Sequence, residues 1–196
     1  MLKYYIVALM LLTCLNSCAQ RPADDKIVGY YMSKKTGNMV FTNSKSEDIV
    51  EYPFTNITLN PDGKKFGAYV VGTDTKNGLM NDRGIMVIDT IFDYLGMVDR
   101  NLLWAEKKDK FGFVDFSGKI VVPIIYDHLD NTSSNGLFTA GKNGKFGFIN
   151  LKNEVVIPFQ FQEASSFIDG LAAVTLNGKH TYIDSLGNEV VKSTGH

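Results

Sequence analysis

From residue 27 onward, apolar residues come in short runs broken by glycine, asparagine, aspartate or proline, and no stretch sustains a helical period. Leu171-Ala172-Ala173-Val174-Thr175-Leu176 is one such run, closed by Asn177-Gly178, and Asn143-Gly144 closes another. Asn-Gly between two apolar runs predicts a tight hairpin, because both residues tolerate the positive φ of a type I′ turn. The pattern predicts strands joined by short turns, with helix scarce.

The runs repeat. Lys110-Phe111-Gly112-Phe113-Val114-Asp115, Lys145-Phe146-Gly147-Phe148-Ile149-Asn150 and Lys179-His180-Thr181-Tyr182-Ile183-Asp184 align, and Lys76-Asn77-Gly78-Leu79-Met80-Asn81 fits the same frame. Their anchor positions 78, 112, 147 and 181 are spaced by 34, 35 and 34 residues. Eleven residues before each anchor stand Gly67, Asn101, Gly136 and Gly170. Eleven residues after stand Asp89, Pro123, Pro158 and Lys192. A period of this length is the signature of a repeat architecture.

Each copy resolves into three predicted strands. The first ends at the Asn-Gly turn and the second carries the Phe-Gly-Phe group. The second runs into a turn spanning Asn81–Gly84, Asp115–Gly118, Asn150–Asn153 or Asp184–Gly187. Asp or Asn opens such a turn by accepting backbone hydrogen bonds, and Gly or Asn closes it by tolerating positive φ. The third strand is β-branched, Ile120-Val121-Val122-Pro123 and Val155-Val156-Ile157-Pro158, and its proline predicts an edge or a strand end. The expected fold is all-β, a tandem array of three-stranded antiparallel meanders of about 34 residues, open and solenoid-like. Propeller-like closure is the alternative, although propeller blades commonly use four strands and about 40–45 residues. Residues 27–66, with Tyr52-Pro53-Phe54, predict a degenerate capping copy, residues 67–191 the repeats, and residues 192–196 a tail.

The first twenty residues have a different pattern. Lys3 followed by the apolar stretch Tyr4 to Leu12 reads as a signal peptide over residues 1–17, too short for an ordinary membrane span. Leu15-Asn16-Ser17-Cys18 resembles a lipobox, and that resemblance implies lipidation of Cys18 by palmitate-type acyl chains. Several buried chains anchor far better than one. Cys14 would leave with the signal, so no thiol remains for a disulfide. Residues 18–26 form a polar tether, and Ala19-Gln20 lacks the aspartate that resembles an inner-membrane retention cue. The expected location is the cell envelope, at the outer membrane, on its periplasmic or its surface-exposed face; Asp24-Asp25 resembles a surface-export tag or else only solvates the tether.

Formal net charge is −1, and removing residues 1–17, which carry only Lys3, makes it −2, so no global field draws the chain to nucleic acid. Few groups suggest chemistry. Asn81, Asp115, Asn150 and Asp184 recur at repeat spacing, yet only two carry charge, calcium takes six to eight oxygens, and turn capping accounts for all four. His128 and His180 are 52 residues apart, and His196 ends the sequence. Glu47-Asp48 is the nearest thing to a carboxylate pair, but neighbours on a strand point to opposite faces. Gly141-Lys142-Asn143-Gly144-Lys145 lacks the spacing of a phosphate loop. Lys76, Lys110, Lys145 and Lys179 predict a solvated edge rather than a basic stripe. No catalytic residue, cofactor site or metal site is assigned. Phe92, Tyr126 and Phe161, in register after the third strands, are the expected exposed contact surface, with Trp104 a fourth candidate that reads as a ligand platform or, in preference, as core.

Lys-Phe-Gly-Phe-Val-Asp, then Gly-Lys-Ile-Val-Val-Pro and Ile-Tyr-Asp, resembles the bacterial WG-repeat family over roughly residues 67–191. Phe111 and Phe146 replace the family's tryptophan, and Asn77-Gly78 and His180-Thr181 lose the aromatic. The resemblance implies a β-rich binding or interaction protein. The expectation is an envelope-anchored, non-catalytic scaffold for an unknown protein or glycan partner, held to the membrane by its N-terminal lipid. A structural envelope protein is the alternative, and a hydrolase with a site between repeats is a distant third.

Overall fold

The structure, a computed structural model, describes residues 26–59, 68–99 and 101–190, and these contain strands and turns without helix. The signal, Cys18, Asp24-Asp25, Lys192 and His196 lie outside the described residues.

Five small antiparallel sheets follow one another along the chain, none closed into a barrel. The first has three strands, β1 (Gly29–Met32), β2 (Met39–Thr42) and β3 (Asp48–Tyr52). The second has four, β4 (Asn56–Leu59), β5 (Ala68–Gly72), β6 (Asn77–Asn81) and β7 (Met86–Phe92). The third comprises β8 (Tyr94–Asp99), β9 (Leu102–Lys107), β10 (Lys110–Asp115) and β11 (Ile120–Tyr126). The fourth comprises β12 (His128–Leu129), β13 (Phe138–Lys142), β14 (Lys145–Ile149) and β15 (Val155–Phe161). The fifth comprises β16 (Glu163–Ala164), β17 (Ala172–Leu176), β18 (Lys179–Ile183) and β19 (Glu189–Val190). Anchor positions 78, 112, 147 and 181 all fall on the third of four strands, so the repeat is structural.

The expected three-strand meander is therefore extended by one strand. After the β-branched strand the chain bends at Asp93, Asp127 or Gln162 and immediately starts the outer strand of the next sheet. The backbone N–H of Asp93 donates to Glu106 O at 2.9 Å, that of Asp127 to Gly141 O at 2.9 Å, and that of Gln162 to Thr175 O at 2.8 Å. Each crossing is thereby stitched into the following sheet. The predicted capping region divides on the same rule, since β4 belongs to the second sheet.

Glycine at the anchor explains the proline. Phe111 pairs with Tyr126 and Phe113 with Val122, so two steps on β10 oppose four on β11, and Phe146–Phe161 with Phe148–Ile157 repeat the pattern. A bulge of this kind needs a bare backbone beneath it. A Cβ on Gly112 would stand 2.6 Å from Val122 O, and one on Gly147 2.7 Å from Ile157 O. Pro123 and Pro158 sit within the bulge on an edge strand, where a missing N–H costs no ladder bond. Of the two readings of the proline, the edge strand holds and the strand end is corrected: pairing resumes at Tyr126 and Phe161.

Contacts divide the chain into two compact units, one ending at Ile91 and the other beginning at Phe92. In the first, Met39, Phe41, Val50 and Tyr52 pack with Val71 and Met80 of the second sheet. In the second unit, Phe113, Val122 and Tyr126 of the third sheet form one core with Leu129, Phe138, Ala140 and Ile149 of the fourth. Phe148, Ile157 and Phe161 of the fourth sheet form another with Phe167, Ala172, Val174 and Ile183 of the fifth. Successive residues of β14 thus face opposite neighbours, Ile149 backward and Phe148 forward. Burying each such side chain contributes about 1.5–3 kcal/mol, and neither face would be covered by a copy standing alone.

Candidate functional site

The recurring oxygen-bearing residues cap turns, as their spacing predicts. Asp115 Oδ1 accepts the backbone N–H groups of Ser117 at 2.9 Å and Lys119 at 3.0 Å, plus the Ser117 hydroxyl at 2.6 Å. Asn81, Asn150 and Asp184 each accept the equivalent two N–H groups through Oδ1. Gly84, Gly118, Asn153 and Gly187 close these turns at positive φ. The Ser117 hydroxyl at Asp115, and the Asn188 side chain at Asp184, lead the hydrogen bonds that hold both carboxyls below their ordinary range. A fifth turn escaped the sequence reading. Asn43 Oδ1 accepts from the N–H groups of Lys45 and Glu47, and Ser46 closes at positive φ. The first sheet therefore carries the same hairpin, with Val40 at the glycine position and no comparable bulge.

The hinge aspartates were also missed as structural residues. Asp127 forms an ion pair with Lys110, and its Oδ2 accepts the N–H of Asn143 at 2.7 Å. Lys110 is the first of the groups that draw its carboxyl below the usual range. Asp93 Oδ2 accepts the N–H of Lys108 at 2.6 Å, at the equivalent turn. Both carboxylates cap the tight hairpin of the sheet they introduce, where Lys108-Asp109 and Asn143-Gly144 lie at positive φ. Of the predicted lysine row, Lys110 is thus neutralised, and Lys179 pairs with Glu189 at 2.6 Å. Glu47 and Asp48 go to different partners, Asn43 and Tyr31.

The expected exposed surface of Phe92, Tyr126 and Phe161 is corrected. These residues are 6%, 2% and 1% exposed. Because the strand runs through the bulge, Tyr126 stays on the same alternate face as Val122, and Phe161 on that of Ile157. Tyr126 Oη donates to Asn153 Oδ1 at 2.5 Å, on the turn of the next copy, and burial pushes the phenol pKa up. Tyr52 makes the matching reach to Gly84 O at 3.0 Å. Trp104 is half-buried, stacked on Phe111 at 4.9 Å, with its Nε1–H donating to Leu129 O of the fourth sheet at 2.7 Å. Its place is at the border of the core, as a tie between copies.

Two clusters unite groups that could suggest catalysis. His128 Nε2 lies 2.9 Å from Asp130 Oδ1, and Ser166 Oγ donates to Asp130 Oδ2. Burial alone would raise the Asp130 carboxyl, but the His128, Ser166 and Thr139 hydrogen bonds outweigh it and leave it lowered. The serine proton is directed at the carboxylate, so the cluster fastens the fourth sheet to the loop of the fifth. The second cluster lies on the fifth sheet, where Thr175 Oγ1 is 3.0 Å from Glu163 Oε2 and 2.9 Å from His180 Nδ1. It borders an open groove of about 650 Å³ whose lining includes Ser165, Ala173 and Tyr182. Sequence spacing gave no sign of it, because the three residues meet only through strand pairing.

The segment that carries this anchor glycine, bulged proline strand and capped turn also matches a known family of repeats. The WG containing repeat matches residues 111–146 and 146–179. Residues 111–179 carry two WG-type repeats. The third, fourth and fifth sheets hold this WG-type segment, with phenylalanine at the tryptophan position in both matched copies. No curated protein matches the chain. Among solved structures, one described as a crystal structure of the eukaryotic initiation factor is similar, at 13% identity and a TM-score of 0.50. The alignment covers 83% of this chain and 50% of that one, so the chain spans half its length, and the likeness is one of fold. Kluyveromyces lactis Hsv2p matches at 12% identity and a TM-score of 0.43, covering 85% of this chain and 63% of that one.

Proposed function

We propose that this protein is an envelope-anchored, non-catalytic scaffold that offers its repeated β-sheets to a protein or glycan partner. The observation that carries the reading is how the potential reacting groups are engaged. Ser166 donates to Asp130, the Asp115 and Asp184 carboxylates hold turn N–H groups, and Asp127 caps a hairpin. A nucleophile needs its proton directed at a base that is itself oriented by a third group, and in the Ser166 cluster the carboxylate lies between hydroxyl and imidazole instead. Stacked copies with ordered turns are suited to presenting surface.

Anchoring rests on the lipobox-like Leu15-Asn16-Ser17-Cys18 and the tether after it. The test is protease accessibility and membrane fractionation of intact cells. The chain should fractionate with the outer membrane, Cys18→Ala should release it, and replacing Asp24 and Asp25 should change protease exposure if they direct surface display. A Cys18→Ala protein that stays membrane-bound contradicts the anchor. A pull-down from envelope extracts that recovers nothing above background, across several salt conditions, contradicts the scaffold.

A further inference from the structure

The fifth sheet is the last in the described array, and its two faces differ. Ala172, Val174 and Ile183 point into the core shared with the fourth sheet. The alternate residues, together with Val174 and the ion-paired Lys179 and Glu189, line the groove of about 650 Å³, within the range of small-ligand sites.

Strand pairing arranges that groove as two parallel rows. Glu163, Thr175 and His180 are cross-strand neighbours over β16, β17 and β18. Ala173, Tyr182 and Val190 are cross-strand neighbours over β17, β18 and β19. The first row is polar and the second apolar. The corresponding first rows of the other WG-type sheets are His128–Gly141–Phe146 and Tyr94–Glu106–Phe111. Losing the aromatic at residue 180 is therefore part of a change that places a carboxylate, a hydroxyl and an imidazole side by side. Tyr182 occupies the position of the fully buried Phe113 and Phe148, yet is 39% exposed.

The polar row has a definite sense. A carboxylate only accepts, and Thr175 has one hydroxyl proton, so that proton goes to Glu163 and His180 Nδ1–H donates to Thr175. In the neutral imidazole this leaves Nε2 as an acceptor. Thr175 is itself 92% buried at 8% exposure, which fixes the chain of bonds in place. The groove thus offers acceptors along one side and an aromatic and aliphatic floor along the other.

We propose that this groove binds a saccharide ring. A pyranose has a face of C–H bonds to lay on Tyr182, Ala173 and Val190, and a rim of hydroxyls to donate to Glu163 and His180 Nε2. A small ammonium ion would leave the apolar row uncovered, and an apolar ligand would bury the acceptors without donors. The proposal rests on the scaffold reading and specifies its glycan branch.

The test follows the ring signals of Tyr182 and His180 by NMR in the full-length chain, titrated with glucose, galactose, mannose and N-acetylglucosamine. Mannitol and tetramethylammonium serve as an open-chain and a cationic control. At least one pyranose should give saturable shifts, and Tyr182→Ala and Glu163→Ala should each weaken binding at least about tenfold, the scale of a lost aromatic contact for the first and of a lost charge-assisted hydrogen bond for the second. Unchanged melting temperatures of both variants show that the fold is kept. No saturable response to any of the four sugars overturns the proposal, as do equal responses in wild type and variants, or preferential saturation by tetramethylammonium. If the sugars fail while wild type and a variant carrying both Tyr182→Ala and Glu163→Ala recover the same envelope partner, the saccharide site falls and the scaffold stands. If wild type recovers nothing either, both fall.

Discussion

The fourth and fifth sheets are built from the same repeat and differ in what covers them. In the fourth, Phe148 is fully buried against Phe167, with ring centroids 4.7 Å apart, and Gly147 lies under the bulge holding Pro158. In the fifth, Tyr182 stands at the Phe148 position and is partly exposed, and Thr181 replaces the glycine. The fifth sheet pairs Tyr182 with Val190 and Ile183 with Glu189 in unbroken register, and Thr181 Oγ1 donates to Glu189 Oε1 at 2.8 Å. Repeat position alone therefore does not determine burial: Phe148 is covered by residues of the copy that follows it.

The largest expected contrast is between matched truncations. Phe148→Ala should cost about 3–5 kcal/mol, as large aromatics in cores do, while Tyr182→Ala should cost under about 1 kcal/mol, as surface changes do. Urea unfolding of the two variants checks this, and equal costs would break the comparison. Next comes the glycine. Gly147→Ala places a Cβ against Ile157 O and should cost about 1–3 kcal/mol, whereas Thr181→Ala, under no bulge, should cost about 1 kcal/mol or less. Their difference in denaturant midpoint is the measurement.

A smaller effect concerns the reach between copies. Tyr126→Phe removes the donor to Asn153 and should cost about 1 kcal/mol, while Phe161, at the same position one copy later, already lacks a hydroxyl. Phe161→Tyr should therefore recover nothing unless a partner is supplied. Thermal melting of the pair decides it.

The smallest effect is in pH. Asp115 and Asp184 have folded pKa values below the ordinary 3.8, so the stability they contribute is present above that value and is lost as pH falls through the folded one. Melting temperature should be flat near neutrality and fall only at strongly acid pH. Asp184→Asn should flatten part of that fall, because Asn81 and Asn150 already cap equivalent turns without titrating. An Asp184→Asn variant whose melting temperature falls in acid as steeply as that of wild type would contradict this assignment.

Much of the fold was legible in the sequence, for reasons tied to particular residues. Asn143-Gly144, Asn177-Gly178 and the Asp or Asn turns state their backbone geometry directly, because few residues tolerate positive φ. The fourth strand was not legible in the fourth and fifth sheets, since β12 and β16 are two residues long and carry no alternation. Its beginning was marked instead by Asp93 and Asp127, whose side chains cap a turn some fifteen residues away. Tyr126 and Phe161 are buried rather than on the surface because the strand continues past its proline. Period-two alternation from Val122 to Tyr126 and from Ile157 to Phe161 held the correct answer. The groove depends on which residues of β16, β17 and β18 stand opposite one another, and register of that kind is set by pairing rather than by composition.

Native-state hydrogen exchange along the chain tests the account most directly. Amides of Phe148 and Ile149 in β14, covered by sheets on both sides, should exchange at least about a hundredfold more slowly than those of Tyr182 and Ile183 in β18. Equal protection in the two strands, or faster exchange in β14, would contradict stability conferred by neighbouring copies.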